Sequence, residues 1–324
     1  MKNPKLWGAI AALLAIGFAI KIFLPSERIG PSVVAEPVFL IGSFVVSNAI
    51  LVSWIVVVLL VLIAFGATRN MKLVPGNLQN LMEIAVEAVL NLVRQTTGGD
   101  EKKVRWFFPF VMTFLLFILV SNLLGLIPGF GPIGVVHYDS PNQAAPLGVI
   151  TLGNLPQAFN VPDELHVPAR VPSDAAPTAE FLPFFRSPSA DFNLTLAFAL
   201  ISWLMTQAFG IINLGPMKFL SKYIVLDKIR HGQIGMGVLD FLVGILEAIS
   251  ELSKIISLSF RLFGNIFAGE VLLLVMFVLF PILPLPFYFL ELMVGAIQAF
   301  VFAILTLVFM TQSTTAPHTV EEHH

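Results

Sequence analysis

Long apolar runs separated by short polar or proline-bearing breaks dominate the chain. Five of them, Phe39–Phe65, Trp106–Ile127, Phe192–Leu214, Val238–Phe280 and Phe287–Gln312, are long enough to cross a hydrocarbon core of about 30 Å as helices. An earlier run, Leu6–Ile20, follows Lys2 and Lys5 and fits either a signal sequence or a first span. Val33-Val34-Ala35 is a loose cleavage motif far from the end of that run, which favours a retained anchor. Between Asn77 and Thr97 the pattern changes. Leu78, Leu81, Met82, Ala85, Val86, Val89 and Leu92 recur at helical spacing, with Glu83, Glu87 and Arg94 between them. This predicts an amphipathic helix on the membrane surface, whether it binds something there or only connects two spans. Pro128–Ala190 holds eleven of the twenty-two prolines and reads as an extended polar loop without a core of its own. The acidic residues within it, Asp163, Glu164, Asp174 and Glu180, read as solvated loop charge before a lure for cations.

The pattern predicts an all-α polytopic membrane protein with five transmembrane helices and an optional N-terminal one, an amphipathic surface helix, and a long tilted C-terminal helical hairpin. Its divisions are an anchor or signal with an external linker (1–38), the first spans with the amphipathic helix 77–97 (39–127), and the proline-rich loop (128–190). A core with the hairpin 238–312 (191–312) and a polar tail (313–324) complete it. Lysine and arginine set the orientation. Gly66–Arg105 carries six of them and Gly215–Gly235 four, whereas the much longer Pro128–Ala190 carries only Arg170 and Arg186. Basic loops belong in the cytoplasm, so the proline-rich loop and the final hairpin turn lie outside and the C-terminus inside.

Composition narrows the chemistry. The mean hydropathy is +0.89 and only 12% of residues are charged, as befits helices in lipid. A net charge of −2 implies no nucleic-acid partner, and the absence of cysteine removes disulfides, thiol catalysis and cysteine-bound metal. The six histidines lie in loops or the tail, so no metal cluster or catalytic triad is expected. No phosphate-binding G-x-x-x-x-G-K-[ST] loop is present, and no cofactor is implied.

The run from Val238 to Phe280 is the exception to apolar monotony. It has forty-three residues without proline, yet carries Asp240, Glu247, Glu251, Lys254, Arg261 and Glu270. As one helix it would measure roughly 65 Å, too long for an upright span, so it tilts or bends, or else breaks near Gly264. At 100° per residue, Asp240, Glu247, Glu251, Lys254, Ser257, Arg261 and Asn265 fall on one broad stripe. Glu270, nine residues or about 900° beyond Arg261, points the other way. Glu247, Glu251 and Lys254 have the spacing of a mutually neutralising set. Arg261 has only Leu258, Phe260, Leu262, Phe263, Ile266 and Phe267 around it, and an ionisable group at membrane depth points to ion paths or buried partners.

The segment Ser257-Leu-Ser-Phe-Arg261-Leu-Phe-Gly264-Asn265-Ile-Phe-Ala-Gly269-Glu270 resembles the signature of subunit a of F-type ATP synthases. Glu291, followed seven residues later by Gln298 in Gln298-Ala-Phe-Val-Phe, is a second match, and Pro188-Ser-Ala-Asp191-Phe-Asn193-Leu-Thr195-Leu a third. The similarity runs from about Pro75 to the C-terminus, apart from the loop after Pro128. It implies a stator in a bacterial plasma membrane, placed against a ring of c subunits that each bear a membrane carboxylate. Peripheral-stalk b subunits and the other synthase subunits are the further partners.

The resemblance also assigns roles. Protons would enter from outside through a half-channel with Glu270, Glu291 and Asn265, and leave through a second half-channel for which Glu247, Glu251 and Ser257 are candidates. Arg261, permanently cationic, would strip the ring carboxylate of its proton and seal the two paths from each other. Gln298 would pack near Arg261 and orient it. Two glutamates close together in oil should not both be ionised, which leaves a proton to pass on. Some relatives carry histidine where Glu291 stands, so an imidazole relay is unavailable here. Sodium coupling stays open. So does a different class, a self-contained secondary transporter or channel, although the paired repeats it calls for are not found. A membrane scaffold with purely structural charges is a third reading.

Overall fold

The computed structural model describes residues 37–41, 44–127, 134–138, 179–183, 186–220, 234–280 and 282–315. The N-terminal anchor or signal, most of the proline-rich loop, the basic segment after 220 and the tail beyond 315 lie outside the described residues, as does the side chain of Asp240. Helix dominates, and five described helices are long and apolar enough to span a membrane.

Strands β1 (Pro37–Ile41) and β2 (Phe44–Ser47) pair antiparallel before the first helix, α1 (Asn48–Thr68). The span expected from Phe39 therefore begins nine residues later. Val45 and Val46 are β-branched and suit a strand. Ser47 then supplies the stop, its Oγ accepting from the Ile50 N–H at 3.4 Å. Helix α2 (Asn77–Thr96) is the expected amphipathic element, with Val89 and Val93 buried and Leu81 and Ile84 exposed. Gly98 and Gly99, at φ 66° and 81°, turn the chain into α3 (Glu101–Gly125).

The proline-rich stretch is not wholly without structure. Strands β3 (Gly134–Tyr138) and β4 (Ala179–Pro183) pair antiparallel, in register from Gly134↔Pro183 to Tyr138↔Ala179. Its last residues, Arg186 to Ala190, are buried, with Pro188–Ala190 forming a 3-10 turn. Helices α4 (Phe192–Leu214) and α5 (Pro216–Leu220) follow. Helix α6 (Ile234–Leu279) is one unbroken element of 46 residues, so Gly264 does not interrupt it. Helix α7 (Pro284–Thr314) starts with proline, whose missing N–H would be unpaired there in any case. It continues past the expected boundary at Gln312, and Ser313 and Thr314 are buried.

The chain divides into two compact units. One comprises the described parts of 59–118, 192–262 and 298–324. Its core is built by Val89 and Val93 of α2, Val104, Phe107 and Val111 of α3, Phe209 of α4, and Leu307 and Met310 of α7. Contacts between helices give their directions. Phe110 meets Phe209 and Phe117 meets Phe198, so α3 and α4 run antiparallel. Thr195 lies at 3.5 Å from Ser259 and Gln207 bonds Glu251, so α4 and α6 are antiparallel as well. Helices α4 and α7 are parallel, joined by Ser202 to Thr306 at 2.9 Å, Ser313 Oγ donating to Thr206 O at 2.7 Å, and Asn213 Nδ2 donating to Thr314 O at 2.9 Å. Hydroxyls and amides are suited to this task in an apolar setting, where lipid tails offer side chains no less apolar company than a protein core does.

The other unit comprises the described parts of 1–58, 119–191 and 263–297. Within it the end of α3 meets α7 through Asn122, whose Nδ2 donates to Gly295 O at 3.0 Å. The close of α6 and the start of α7 form a hairpin whose turn is held by the Leu283 N–H to Phe280 O at 2.9 Å.

Candidate functional site

In the unit holding the hairpin, Glu270 of α6 and Glu291 of α7 line one cavity of about 40 Å³ with Asn122, Ser187, Gly125 and Gly295. Glycine at 269 makes their approach possible: a Cβ there would fall within 3.0 Å of the Glu291 carboxyl atoms. Glu291 is 5% exposed. The expected meeting of the two carboxylates across the hairpin is therefore present.

A third charge joins them. Arg186, just before the 3-10 turn, donates through Nε to Glu270 Oε2 at 3.2 Å, and its guanidinium lies 5.9 Å from the centre of the Phe267 ring. The arginine side chain is 7% exposed and the glutamate 32%, so this pair is held largely out of water. From the sequence alone Arg186 enters only the count of loop cations that sets orientation. The available signal was its setting, a lone cation ending the apolar run Phe181-Leu-Pro-Phe-Phe185.

Asn122 and Ser187 make the lining polar beyond the charges, and further polar atoms are buried in the unit. Ser121 Oγ, Asn122 Oδ1, Ser187 Oγ and Ser189 Oγ are buried in this unit and have no hydrogen-bond partner among the described residues. Leaving such groups dry costs about 1–3 kcal/mol each. A cavity needs only about 10–15 Å³ to admit a water, so this one has room for two or three. Two carboxyl groups at a cavity of this size can accept, hold and release protons, while the Arg186 guanidinium beside Glu270 stays charged. Asn265 is in the same unit, exposed on α6.

The second unit holds Arg261, which is exposed on α6. Among the described residues its side chain hydrogen-bonds Ser257 Oγ, one turn earlier, at 3.4 Å, and no carboxylate pairs with it. Around it the face is apolar and open, with Ile249, Ile256 and Phe260 all exposed. Gln298, the residue that the resemblance implies beside Arg261, is buried in this unit.

The expected charged stripe divides. Ser257 and Arg261 lie on the open side, but Glu251 is on the packed side, about 80° round the helix from Arg261. Glu251 is 3% exposed, accepts from Gln207 Nε2 at 2.8 Å and pairs with Lys254 Nζ at 2.7 Å. Lys254 Nζ in turn lies 5.1 Å from the centre of the Phe309 ring. The i,i+3 neutralisation read from the spacing is thus present, and it commits Glu251 to partners within the chain. Glu247 is half-buried on the same helix. Among the described residues no group of three or more His, Cys, Asp or Glu is placed to hold a metal ion.

Comparison with known proteins gives a single answer. The family described as ATP synthase A chain matches residues 50–311. The chain is 32% identical over 273 residues to ATP synthase subunit a 3 of Pelobacter propionicus, an alignment covering 84% of this chain and 90% of the relative. ATP synthase subunit a of Geotalea uraniireducens is 31% identical over the same length, with 84% and 90% covered. That of Trichlorobacter lovleyi is 30% identical, with 84% and 89% covered.

Proposed function

This chain belongs to the ATP synthase A chain family, and from that membership we propose that it is the proton-conducting stator subunit of a rotary ATP synthase, with Arg261 as the residue that meets the rotor. The observation that carries the reading is the exposure of Arg261. A guanidinium exposed on an apolar helix face, with no carboxylate among the described residues paired to it, calls for an acidic group from a partner. A ring of c subunits bearing membrane carboxylates is that partner.

The two units then divide the work. Glu270, Glu291 and Asn265 belong to the outer half-channel, where the cavity that the two glutamates line supports proton uptake. Glu247 and Ser257 belong to the inner one, with Glu251 holding its wall through Lys254 and Gln207. Arg261 remains charged throughout, so a ring carboxylate arriving beside it gives up its proton, and no proton crosses directly between the channels. The basic loops 66–105 and 215–235 support a cytoplasmic side for those segments and for the C-terminus, in a bacterial plasma membrane.

The test is Arg261→Ala in the assembled complex. ATP synthesis driven by an imposed proton gradient should vanish while all subunits, including the b-type stalk, remain assembled. Synthesis at the normal rate would refute the stator reading. Replacing the proton gradient by a sodium gradient distinguishes the coupling ion: synthesis under sodium alone would replace protons with Na⁺ in the same scheme.

A further inference from the structure

We propose that Asn122 and Ser187 hold an ordered water in the cavity between Glu270 and Glu291, and that the proton passes between the two carboxyl groups through it. The inference rests on the proton-conducting reading above and adds two positioning residues to it.

Glu270 and Glu291 line one cavity of about 40 Å³, yet among the described residues no hydrogen bond joins them. Oε2 of Glu270 accepts from Arg186 Nε, whereas the Glu291 side chain, on a residue only 5% exposed, makes no hydrogen bond among the described residues. A proton moves between two groups only when they lie within hydrogen-bond reach, directly or through one water. The two carboxyl groups therefore need an intermediary.

The walls offer places to hold one. Asn122 and Ser187 line the same cavity and are each 3% exposed, and Asn122 Oδ1 and Ser187 Oγ are buried without a hydrogen-bond partner among the described residues. The Asn122 amide has a fixed sense. Its Nδ2 donates to Gly295 O at 3.0 Å, one turn beyond Glu291 on α7, so its oxygen is the end left for a ligand. Ser187 packs on α3 about one turn past Asn122, where a Cβ on Gly125 would lie 2.6 Å from Ser187 Cβ and 3.2 Å from its Oγ. Both oxygens thus meet the cavity along the same stretch of α3.

These groups suit a water. Buried oxygens left unpaired are costly, and an interior water makes about three hydrogen bonds. Asn122 Oδ1 can only accept, so it fixes one O–H of the water, while Ser187 Oγ accepts or donates as needed. The second O–H is then directed at the unprotonated carboxylate. When the protonated carboxyl group gives its proton to the water oxygen, the water passes the directed proton on. One O–H bond forms as another breaks, and the water is unchanged.

Asn122→Leu and Ser187→Cys keep the size of each side chain but remove its oxygen, a thiol being a weak hydrogen-bonding group. Each should lower ATP synthesis driven by an imposed proton gradient, per assembled complex in vesicles, by about tenfold, the scale of one lost hydrogen bond. Both residues hold the same water, so the double variant should be little slower than the slower single one. Two unconnected structural defects would instead multiply, to about a hundredfold. A second readout does not depend on these rates. The chain has no cysteine, so Ser187→Cys gives it a single thiol, which reacts as thiolate where water reaches it. Silver ion should stop synthesis in Ser187→Cys and leave the wild type and Val111→Cys, whose thiol is in the packed apolar core, as they were.

A wild-type rate in either single variant, effects that multiply in the double variant, or a Ser187→Cys enzyme indifferent to silver overturns the proposal. If one of the two variants does not assemble, the other decides by its rate, and Asn122→Cys takes the silver test where Ser187→Cys cannot. Arg261→Ala, measured in parallel, separates the two readings. If it abolishes synthesis while both cavity variants run at the wild-type rate, only the water site is wrong; if it synthesises ATP normally, the proton-conducting reading itself fails.

Discussion

Gly269→Ala tests the hairpin at its tightest point. A methyl group at 269 would fall inside the closest approach to the Glu291 carboxyl atoms, all three of which lie within 3.0 Å of it. The helix backbone cannot give way readily, but Glu291 is the end of a flexible side chain, so the carboxylate must retreat by about 1 Å. Overpacking of this kind costs about 1–3 kcal/mol. Alanine recovers about 0.5–1 kcal/mol of helix propensity, so most of the complex should still assemble. Function should suffer more, because a shift of about 1 Å at a reacting group can lower a rate by about a hundredfold. The assay is ATP synthesis by membrane vesicles under an imposed proton gradient, normalised to assembled complex. Shortening the neighbour in Gly269→Ala/Glu291→Asp withdraws the carboxyl group by roughly one bond, or about 1.5 Å, and makes room for the methyl group. The double variant should therefore be faster than Gly269→Ala alone, a coupling that independent sites would not produce. Gly269→Ala at the wild-type rate, or two substitutions whose effects simply multiply, would refute the reasoning.

Two stability predictions concern the other unit. Lys254→Ala strips the buried Glu251 of its cation and should destabilise by about 3–5 kcal/mol, seen as a lower precipitation temperature of the detergent-solubilised complex. Replacing both partners together, as Glu251→Leu/Lys254→Met, should cost less than Lys254→Ala alone. Gly210→Ala would put a Cβ 2.5 Å from the Phe219 ring and 3.1 Å from the backbone oxygen of Ser313, and should lower the same temperature through about 1–3 kcal/mol of overpacking. In the isolated subunit Gly264→Ala, with nothing within 4 Å of its new methyl group, should not lower it.

Much of this architecture was legible in the order of residues because lipid imposes a simple rule. A backbone in oil must satisfy its own hydrogen bonds, so an apolar run of sufficient length becomes a helix. The spans and the amphipathic helix follow from that rule, and the pairing of Glu251 with Lys254 from i,i+3 spacing. Boundaries were harder. The β-branched residues before Asn48 serve a strand as well as a helix, and hydropathy does not distinguish the two. The site was half legible. Glu270 and Glu291 stand out because carboxylates are rare in such surroundings, and the hairpin brings them together. Arg186 was obscured because its partner lies 84 residues away, and the intervening prolines marked its neighbourhood as loop. The division of the charged stripe was obscured for another reason. Periodicity places Glu251 and Arg261 within about 80° of each other, but only packing decides where along that arc the neighbours end.

The rungs between α4 and α7 carry a mechanical consequence. Ser202, Thr206 and Asn213 each meet a counterpart on the parallel helix, so a slip of α7 by one turn, about 5.4 Å, would unpair all three rungs at once. Such a seam has detents and does not glide. Thr306 lies eight residues beyond Gln298 on α7, so the depth of Gln298 in the bilayer is clamped by hydroxyl groups about two turns away. A membrane that thickens or thins around the protein would have to tilt this helix pair as a body, because it could not shear one member past the other.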